Sequence, residues 1–287
     1  LIDVGVTFGG DDTPGIDLIM PDVSFFEDQK DRIDAIFLTH AHEDHIGAIG
    51  LLLPLLGTKT PLYATAFTAH LATSKLVERG LKHVTINVVP LGGEVKAGPF
   101  GVRYITLTHS IPEPNALALD TPLGTILHTG DWKIDPDPMI GDETDIEALK
   151  TLGDQGVLAM VCDSTNVFVD GESGSEGTVR QNLIELIASL KGRVAVTTFA
   201  SNVARVATVI EAARLAGRSV CLVGRSMHEI TDAAIATGVI RNLPDLVDEQ
   251  NAGSLPKDNI LYLCTGSQGE ARAALSRIAL DDHRNVR

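Results

Sequence analysis

The chain has 287 residues, 44% of them apolar and 21% charged, a composition typical of a water-soluble globular protein with one large or two ordinary domains. Its formal charge of −15 argues against a protein that binds nucleic acid through overall positive charge, although bound divalent cations would offset some carboxylates. No apolar stretch is as long as a membrane span and no signal peptide is recognisable, so the sequence predicts a cytoplasmic protein without membrane contacts.

The cysteines and the chain ends lead to two further expectations. Cys162, Cys221 and Cys264 each lie in an apolar run, and their odd number and wide spacing exclude a disulfide framework, so we expect three buried thiols in a reducing compartment. Residues 1–4 predict a strand at the very start of the chain. Because no initiator Met precedes that strand, we expect this chain to be a fragment of a longer protein.

In the first half of the chain, short apolar runs alternate with turns. Residues 33–38, 102–107, 125–127 and 157–161 predict strands that are bounded by Pro, Gly and polar residues. Residues 46–56 are apolar and follow a polar loop, which predicts a helix.

Residues 171–177 are rich in Gly, Ser and Glu, as linkers are, and we expect a domain boundary there. The predicted domains are residues 1–172 and 173–287. In the second, three apolar strands alternate with helical segments, which predicts a parallel sheet covered by helices. The strands are predicted at residues 194–197, 220–223 and 260–263, and the helices at about 203–216, after 226 and from about 270.

The strongest chemical signal is the segment at residues 39–47, Thr-His-Ala-His-Glu-Asp-His-Ile-Gly, which directly follows an apolar strand. His40 and His42 can converge on one cation if the chain turns after the strand. Asp44 and His45 then face a second cation nearby. Imidazole and carboxylate donors together suit Zn²⁺, with Mn²⁺ as a harder substitute, so we expect two divalent cations.

One loop cannot fill two coordination spheres, so further ligands are expected at other strand ends. His109 follows the strand at 102–107 and is assigned to the cation of His40 and His42. Asp131 follows the strand at 125–127 and is assigned as the bridge between the two cations. Asp3 is expected to support the ligand loop through hydrogen bonds, the alternative being a plain strand-end cap.

Taken in order, Asp3, His40 to His45, His109 and Asp131 resemble the metallo-β-lactamase superfamily, and later segments resemble ribonuclease J of the β-CASP group. The matching segments are residues 14–19 (Pro-Gly-Ile-Asp-Leu-Ile), 128–135 (His-Thr-Gly-Asp-Trp-Lys-Ile-Asp), 162–166 (Cys-Asp-Ser-Thr-Asn), 198–202 (Thr-Phe-Ala-Ser-Asn), 224–227 (Gly-Arg-Ser-Met) and 265–270 (Thr-Gly-Ser-Gln-Gly-Glu). The resemblance implies an α/β protein, with a metallo-β-lactamase αββα sandwich that is incomplete in this chain and an inserted Rossmann-like β-CASP domain.

The same resemblance implies a ribonuclease that degrades single-stranded RNA in the 5′-to-3′ direction from a 5′-monophosphate end and also cuts internally, in rRNA processing and mRNA decay. It implies a homo-oligomer for the full-length protein. The cations would activate water near neutral pH, and Asp44 is the expected catalytic residue that takes its proton. The chain departs from many relatives at Ala204, where a histidine is expected, and at Ala271, where a proline is expected.

We expect RNA contacts at the strand–loop–helix units of the second domain, because the N-terminus of a helix attracts anions. The candidates are Ser201, Asn202, Arg225, Ser226, Gly266 and Ser267, together with Asp163, which resembles the acidic residue of the first β-CASP motif. Ordinary helix capping would explain the same Ser and Asn residues without any ligand. Residues 176–230 carry seven Lys or Arg against four Glu, so the expected RNA path runs along them, from a cleft between the domains.

Two other functions share parts of this pattern. A glyoxalase II-like hydrolase of small molecules would have the same ligands but no second domain of this kind. A non-catalytic RNA-binding β-CASP scaffold would have lost metal ligands.

The superfamily supplies one more histidine to the second cation from a later strand, and only His228 and His283 follow Asp131. Neither follows an apolar strand, and we expect His283 to be exposed. His128, just before the Asp131 turn, is expected to be structural. We therefore expect this chain by itself to lack one ligand, to aggregate and to be a poor nuclease.

Overall fold

The computed structural model describes residues 1–10, 12–26 and 28–286, which form two compact units. The first unit contains Leu1–Ile134 and Asp142–Glu172, and the second contains Asp135–Gly141 and the chain from Ser173 onward. The domain boundary after residue 172 stays a prediction; in this structure residues 135–141 pack with the second unit. Within the described residues, every helix is too short or too polar to cross a membrane.

The first unit contains a small hairpin, a parallel sheet and a mixed sheet. Its strands are β1 (Thr7–Phe8), β2 (Leu18–Ile19), β3 (Ile36–Phe37), β4 (Leu62–Ala64), β5 (Ile86–Val88), β6 (Glu94–Ala97), β7 (Phe100–Thr106), β8 (Asn115–Thr121), β9 (Gly124–His128) and β10 (Ala159–Val161). Strands β1 and β2 pair antiparallel, and β3, β4 and β5 form a parallel sheet in that order. The mixed sheet has the order β10-β9-β8-β7-β6, in which only β10 and β9 are parallel neighbours.

The helices of the first unit are α1 (Glu43–Ile46), α2 (Ile49–Leu56), α3 (Ala66–Glu78) and α4 (Ile146–Gln155), with short 3-10 helices at Ser24–Phe26 and Lys30–Arg32. The single helix predicted at residues 46–56 is therefore wrong in its extent. The chain leaves α1 because the backbone N–H of Ala48 donates to Val4 O at 2.9 Å and not to the preceding helical turn. A new helix then begins at Ile49.

The two larger sheets face each other across an apolar core, because side chains alternate between the faces of a strand. Phe37 on β3 packs against Tyr104 and Leu117 on the mixed sheet, with 6.5 Å between the centroids of the two aromatic rings. The opposite face of the mixed sheet packs Ile105 against Leu152 of α4. Helix α3 covers the outer face of the parallel sheet. The order of layers is helix, sheet, sheet, helix, which confirms the predicted αββα sandwich.

The second unit is a three-stranded parallel sheet with helices on both faces, as the sequence predicts. Its elements are α5 (Glu176–Ser189), β11 (Val194–Thr197), α6 (Val203–Leu215), β12 (Ser219–Val223), α7 (Arg225–Ala236), α8 (Glu249–Ala252), β13 (Ile260–Cys264) and α9 (Ala274–Ala279). The strand order is β11-β13-β12. Leu261 and Leu263 of β13 face one apolar core, whereas Tyr262 and Cys264 face another on the opposite side of the sheet. This is the Rossmann-like arrangement expected for the second domain.

Several boundaries differ from the prediction. Residues 1–4 form no extended strand; Ile2 makes a single parallel bridge to Phe37. Helix α5 begins inside the predicted linker, and α9 begins at Ala274, four residues beyond the predicted start. Strand β10 covers only the last part of the predicted run at 157–161, and all of its residues are exposed.

The expectation of three buried cysteines is wrong for Cys162. Cys221 and Cys264 are buried, whereas Cys162 is exposed. Cys162 follows β10, which is the edge strand of its sheet, and Met160 and Val161 beside it are also exposed. An apolar run at a sheet edge is buried only where another element covers it, so composition alone misleads here.

Candidate metal centre

Six acidic or imidazole side chains converge at the end of the first unit where β3, β7 and β9 terminate. They are His40, His42, Asp44, His45, His109 and Asp131. Four come from the loop after β3 and from α1, which is too short to separate them, and the other two follow β7 and β9. Strands of the two facing sheets end at the same side of the unit and so bring these side chains together from distant parts of the sequence.

The potential ligand atoms form two groups, and within each group all atoms lie within 4.8 Å of one another. One group contains His40, His42, His109 and Asp131, and the other contains Asp44, His45 and Asp131. The structure thus brings together all six residues that the sequence singles out, and their binding of metal remains a prediction. Among the described residues, no further His, Cys, Asp or Glu completes the second group.

The geometry of the first group suits a cation. The Nε2 atom of His40 lies 3.1 Å from Nδ1 of His42, and Nε2 of His109 lies 3.2 Å from the same Nδ1 atom. Three nitrogens bound to one tetrahedral Zn²⁺ at about 2.0–2.1 Å would be about 3.3 Å apart. The rings therefore stand at nearly the separation that a shared cation requires.

Asp131 lies between the two groups. Its Oδ1 atom is 3.3 Å from Nε2 of His45, and its Oδ2 atom is 3.8 Å from Nε2 of His109. The Oδ2 atom of Asp44 lies 3.7 Å from Nε2 of His45, and the Asp44 side chain is 64% exposed. One carboxylate thus faces both groups, while the other stays open to solvent beside the second group.

Asp3 holds the ligand loop from behind. Its Oδ1 atom accepts the backbone N–H of Thr39 at 2.8 Å, and its Oδ2 atom accepts the Thr39 hydroxyl at 2.8 Å and Nδ1 of His45 at 2.7 Å. The Thr39 oxygen also lies 3.0 Å from Nδ1 of His40. The backbone of Asp3 has a φ of 56°, a left-handed conformation that non-glycine residues rarely adopt.

These contacts determine which ring nitrogens carry hydrogen. A carboxylate only accepts, so His45 donates from Nδ1 and, when neutral, has its lone pair on Nε2. The Thr39 hydroxyl donates to Asp3 and is therefore left to accept from Nδ1 of His40. The lone pair of His40 is then also on Nε2, the atom that faces the other donors. Asp3 thus presets the tautomers of two candidate ligands.

The electrostatics of the site favour neutral imidazoles in the first group. Burial, followed by the neighbouring histidines, lowers the pKa of His40 far below its ordinary value, and burial followed by His109 lowers the pKa of His42 to about 3. Burial also lowers the pKa of His109. Three neutral rings with available lone pairs are the form that binds cations at neutral pH.

In the second group the electrostatics favour a protonated imidazole. Burial disfavours the charged form of His45, but hydrogen bonds to Asp131 and Asp3 outweigh it and raise the pKa of His45 to about 10. The hydrogen bond from His45 lowers the pKa of the Asp131 carboxyl. A proton on Nε2 of His45 thus takes the position beside Asp131 and Asp44 that a cation would take.

Two glycines that sequence reasoning did not single out allow the backbone to approach the ligands. A Cβ at Gly5 would lie 1.6 Å from the Asp44 carbonyl oxygen, because residues 4–6 run alongside the ligand loop. Gly130, directly before Asp131, has a φ of 56°, and a Cβ there would lie 2.9 Å from the Asn115 carbonyl oxygen. For Gly130, its place directly before the predicted ligand Asp131 was the available signal, whereas nothing in the sequence near Gly5 indicated its contact with Asp44.

His128 has the structural role that was predicted for it, whereas the prediction for His283 is wrong. Nδ1 of His128 accepts the backbone N–H of Gly130 at 3.1 Å, a structural role in the turn before Asp131. His283 was expected to be exposed, and this is wrong. His283 is buried, and its Nδ1 lies 3.4 Å and 3.2 Å from the backbone N–H groups of Asn285 and Val286. The chain that follows it folds back over the ring.

The predicted RNA contacts of the second unit lie at the carboxyl ends of its three strands. Thr197, Cys264 and Val223 are level in the register of the sheet, so the three connections start side by side. Ser201 and Asn202 lie in the loop after β11, and Gly266 and Ser267 lie in the loop after β13. Arg225 and Ser226 are the first two residues of α7, which begins one residue beyond the end of β12. Open α/β sheets bind ligands at this edge.

Asn202 and Arg225 both make contacts within the protein that require no ligand. The Asn202 side chain accepts the backbone N–H of Arg205 at 3.0 Å, which is ordinary helix capping. The Arg225 side chain is 91% exposed and lies 3.3 Å from Glu229. In the first unit, Oδ1 of Asp163 accepts the N–H and hydroxyl of Thr165.

Part of the basic excess between residues 176 and 230 is used inside the second unit. Arg180 pairs with Glu211 at 2.7 Å, and Arg205 pairs with the buried Glu176 at 3.1 Å. Arg218 is buried and donates to backbone carbonyls. Because both ion pairs use Glu residues of the same segment, only the burial of Arg218 lowers the excess of positive charge at its surface.

Each part of the chain is similar to a known family. The family described as "Beta-lactamase superfamily domain" matches residues 13–149, and the family described as "Ribonuclease J, beta-CASP domain" matches residues 191–287.

Curated relatives match the chain from end to end. It is 45% identical to "Ribonuclease J" of Sinorhizobium meliloti over 287 residues, covering 100% of this chain and 50% of the relative. It is 43% identical to "Ribonuclease J" of Mycolicibacterium smegmatis, covering 100% of this chain and 51% of that relative. "Ribonuclease J 1" of Streptococcus pyogenes is 38% identical, again with 100% and 51% covered. The chain spans about half the length of these relatives.

A solved structure supports the fold. A crystal structure of a protein of unknown function from Enterococcus faecalis V583 superposes with a TM-score of 0.59 and 19% identity, covering 91% of this chain and 71% of that one.

Proposed function

We propose that this chain, which is similar along its whole length to proteins named ribonuclease J, provides the metal-dependent catalytic core of a ribonuclease. The observation that carries this proposal is the pair of ligand groups that share Asp131. Their imidazole and carboxylate donors suit two divalent cations, and we propose Zn²⁺, with Mn²⁺ as the alternative. When bound, the cations would supply positive charge that lowers the pKa of water and offsets charge on phosphoryl oxygens.

The residues of this chain then have distinct tasks. His40, His42 and His109 would hold the first cation, and Asp44 and His45 the second, with Asp131 shared between them. The exposed Asp44 carboxylate borders the second group, so it can orient a water molecule and take its proton at Oδ2. Asp3 would act only through Thr39 and His45, whose hydrogens it accepts.

We propose that the substrate is single-stranded RNA with a 5′-monophosphate, degraded 5′ to 3′ and also cut internally, in RNA processing and decay in the cytoplasm. The names of the relatives support RNA as the substrate class. The loops at the ends of β11, β12 and β13 offer backbone N–H groups and hydroxyls for phosphate, and Asp163 belongs to the proposed substrate region. For the full-length protein we propose a homo-oligomer.

Two alternative functions are disfavoured, each by a different observation. A glyoxalase II-like hydrolase is disfavoured because residues 191–287 match the ribonuclease J β-CASP family. A non-catalytic scaffold is disfavoured because both ligand groups are present in the described part of the chain. Elemental analysis of the purified protein separates a scaffold, which would hold no stoichiometric transition metal, from an enzyme.

The proposed function is tested on the full-length protein by digesting RNAs that differ only in a 5′-monophosphate, 5′-triphosphate or 5′-hydroxyl. We expect the monophosphate substrate to be degraded fastest and Asp44→Ala to reduce the rate by at least about 10²-fold. Asp154→Ala, which removes an exposed carboxylate on α4, is the matched control and should behave as the parent. A well-folded parent without bound transition metal, or an Asp44→Ala variant with parental activity, would contradict the proposal.

A further inference from the structure

Helix α3 contacts the loop that carries His109, although the two are far apart in sequence. The backbone N–H of Phe67, in the first turn of α3, donates to Oε2 of Glu113 at 2.8 Å. The hydroxyl of Thr65, which precedes the helix, donates to the carbonyl oxygen of Glu113 at 3.3 Å. A carboxylate at this position satisfies an N–H group that the helix leaves unpaired, and it interacts favourably with the helix dipole.

The backbone at Glu113 is held in an unusual conformation. Glu113 has a φ of 54°, which is rare for a residue with a side chain, and it stands between the buried Pro112 and Pro114. Strain of this kind persists only where the surroundings over-determine the conformation. Here the surroundings include the first turn of α3, and Glu113 itself lies four residues beyond the candidate ligand His109.

The same residue is linked to the other ligand loop. The Glu113 carbonyl oxygen accepts Nδ2 of Asn115 at 2.6 Å. The backbone N–H of Asn115 donates to the carbonyl oxygen of Thr39 at 3.2 Å, and its Nδ2 lies 3.3 Å from the same oxygen. Thr39 directly precedes His40. The loop of His109 and the loop of His40 are therefore joined through Glu113 and Asn115.

Further along the helix, α3 contacts the ligand segment a second time. Nζ of Lys75 lies 2.5 Å from Oε1 of Glu43, the residue between His42 and Asp44. Phe67 and Lys75 are eight positions apart, which places the two attachment points about 12 Å apart along the helix axis. One helix thus contacts both ligand-bearing loops at separate places.

We propose that α3 is a brace for the metal centre, in which Glu113 and Lys75 are positioning residues that set the spacing between His109 and the His42–Asp44 segment. This inference rests on the proposed metal site. It adds the contacts that hold the two ligand-bearing loops at a fixed distance from each other. Neither residue belongs to either ligand group, so both act only through the ligands. Replacing residues that orient metal ligands in this way typically lowers metal affinity by about 10–100-fold.

The test uses Co²⁺ as the probe, because its visible absorption spectrum reports the geometry of its ligands. Purified parent protein and the variants Glu113→Ala, Glu113→Gln and Lys75→Met are treated with a chelator and titrated with Co²⁺. Asp145→Ala is the matched control, since Asp145 caps α4 in the same unit by accepting from Ala148 at 2.9 Å without contacting a ligand loop. Thermal unfolding in chelator is measured for each variant.

We expect Glu113→Ala to bind Co²⁺ about 10–100-fold more weakly and with an altered spectrum. Glu113→Gln keeps an acceptor oxygen and should restore most of the affinity, and Lys75→Met should have a smaller effect than Glu113→Ala. Asp145→Ala should lose similar thermal stability but keep parental affinity and spectrum, which separates positioning from general destabilisation.

A folded Glu113→Ala variant with parental affinity and spectrum would overturn the brace. If Glu113→Ala does not fold, Lys75→Met decides the matter, and a parental Co²⁺ spectrum and affinity in that variant would equally overturn it. A parent protein that binds no Co²⁺ would refute the proposed metal site itself, and the brace with it.

Discussion

Replacing Asp3 with Asn changes only one atom of the side chain but should reverse the hydrogen bonds behind the metal centre. Oδ2 of Asp3 accepts from both the Thr39 hydroxyl and Nδ1 of His45, and an amide NH₂ in its place can only donate. His45 would then have to accept at Nδ1 and carry its hydrogen on Nε2. The Thr39 hydroxyl would be free to donate to Nδ1 of His40, which shifts the hydrogen of that ring to Nε2 as well.

Rotating the amide to avoid this reversal would place its NH₂ against the backbone N–H of Thr39, so the hydrogen bond from that N–H would be lost. In the orientation that keeps this bond, two candidate ligands would present N–H groups where a cation needs lone pairs. We expect metal affinity to fall by about 10–100-fold, or about 1.4–2.7 kcal/mol. Replacing a carboxylate acceptor with a neutral one should also weaken each surviving hydrogen bond by about 1 kcal/mol.

The assay is calorimetric titration of chelator-treated protein with Zn²⁺, together with circular dichroism to establish that the variant is folded. Asp145→Asn is the control, because Asn caps a helix about as well as Asp and should leave both stability and metal binding unchanged. A folded Asp3→Asn variant that binds two Zn²⁺ ions with the affinity of the parent would refute the assignment of tautomers by Asp3.

Acid should destabilise the chelator-treated protein, because burial and then His109 lower the pKa of His42 to about 3, whereas an unfolded histidine titrates near 6.5. The unfolded chain binds a proton through this window that the folded chain does not, so stability falls as the pH drops below about 6.5, and urea midpoints of His42→Gln should fall less steeply. Arg225→Glu should weaken RNA binding and reduce its salt dependence without loss of stability, because the side chain is 91% exposed; unchanged binding at several salt concentrations would exclude this residue from the RNA path. Glu176→Ala should lower the free energy of unfolding by about 3 kcal/mol, because it leaves Arg205 without its buried partner, and a urea midpoint equal to the parent's would contradict this.

The elements that were predicted well are those whose signal is local. The apolar runs of β11, β12 and β13 were located to within one residue of the observed strands. Helices cover both faces of this parallel sheet, and its central strand β13 is buried along its whole length, so it must be apolar throughout. The break after α1 was missed, since it depends on a hydrogen bond between Ala48 and Val4 that periodicity does not contain.

In the candidate site, too, the residues that were predicted are those with a local signal in the sequence. The spacing from His40 to His45 was visible because its side chains come from one short loop, and His109 and Asp131 were visible because each follows a strand. Glu113 and Lys75 were not visible, since their contacts join residues 46 and 32 positions apart.

By itself the sequence determined the donor chemistry, the alternation of strands and helices, and the resemblance to one family, since residue type and spacing are sufficient for each of these. Only the tertiary structure decided that His283 is buried and Cys162 is exposed, that residues 135–141 pack with the second unit, and that Asp3 presets two ring tautomers. The physical reason is that burial and hydrogen bonding depend on which distant segments come into contact. That is a property of the folded chain as a whole, which no local window of residues contains.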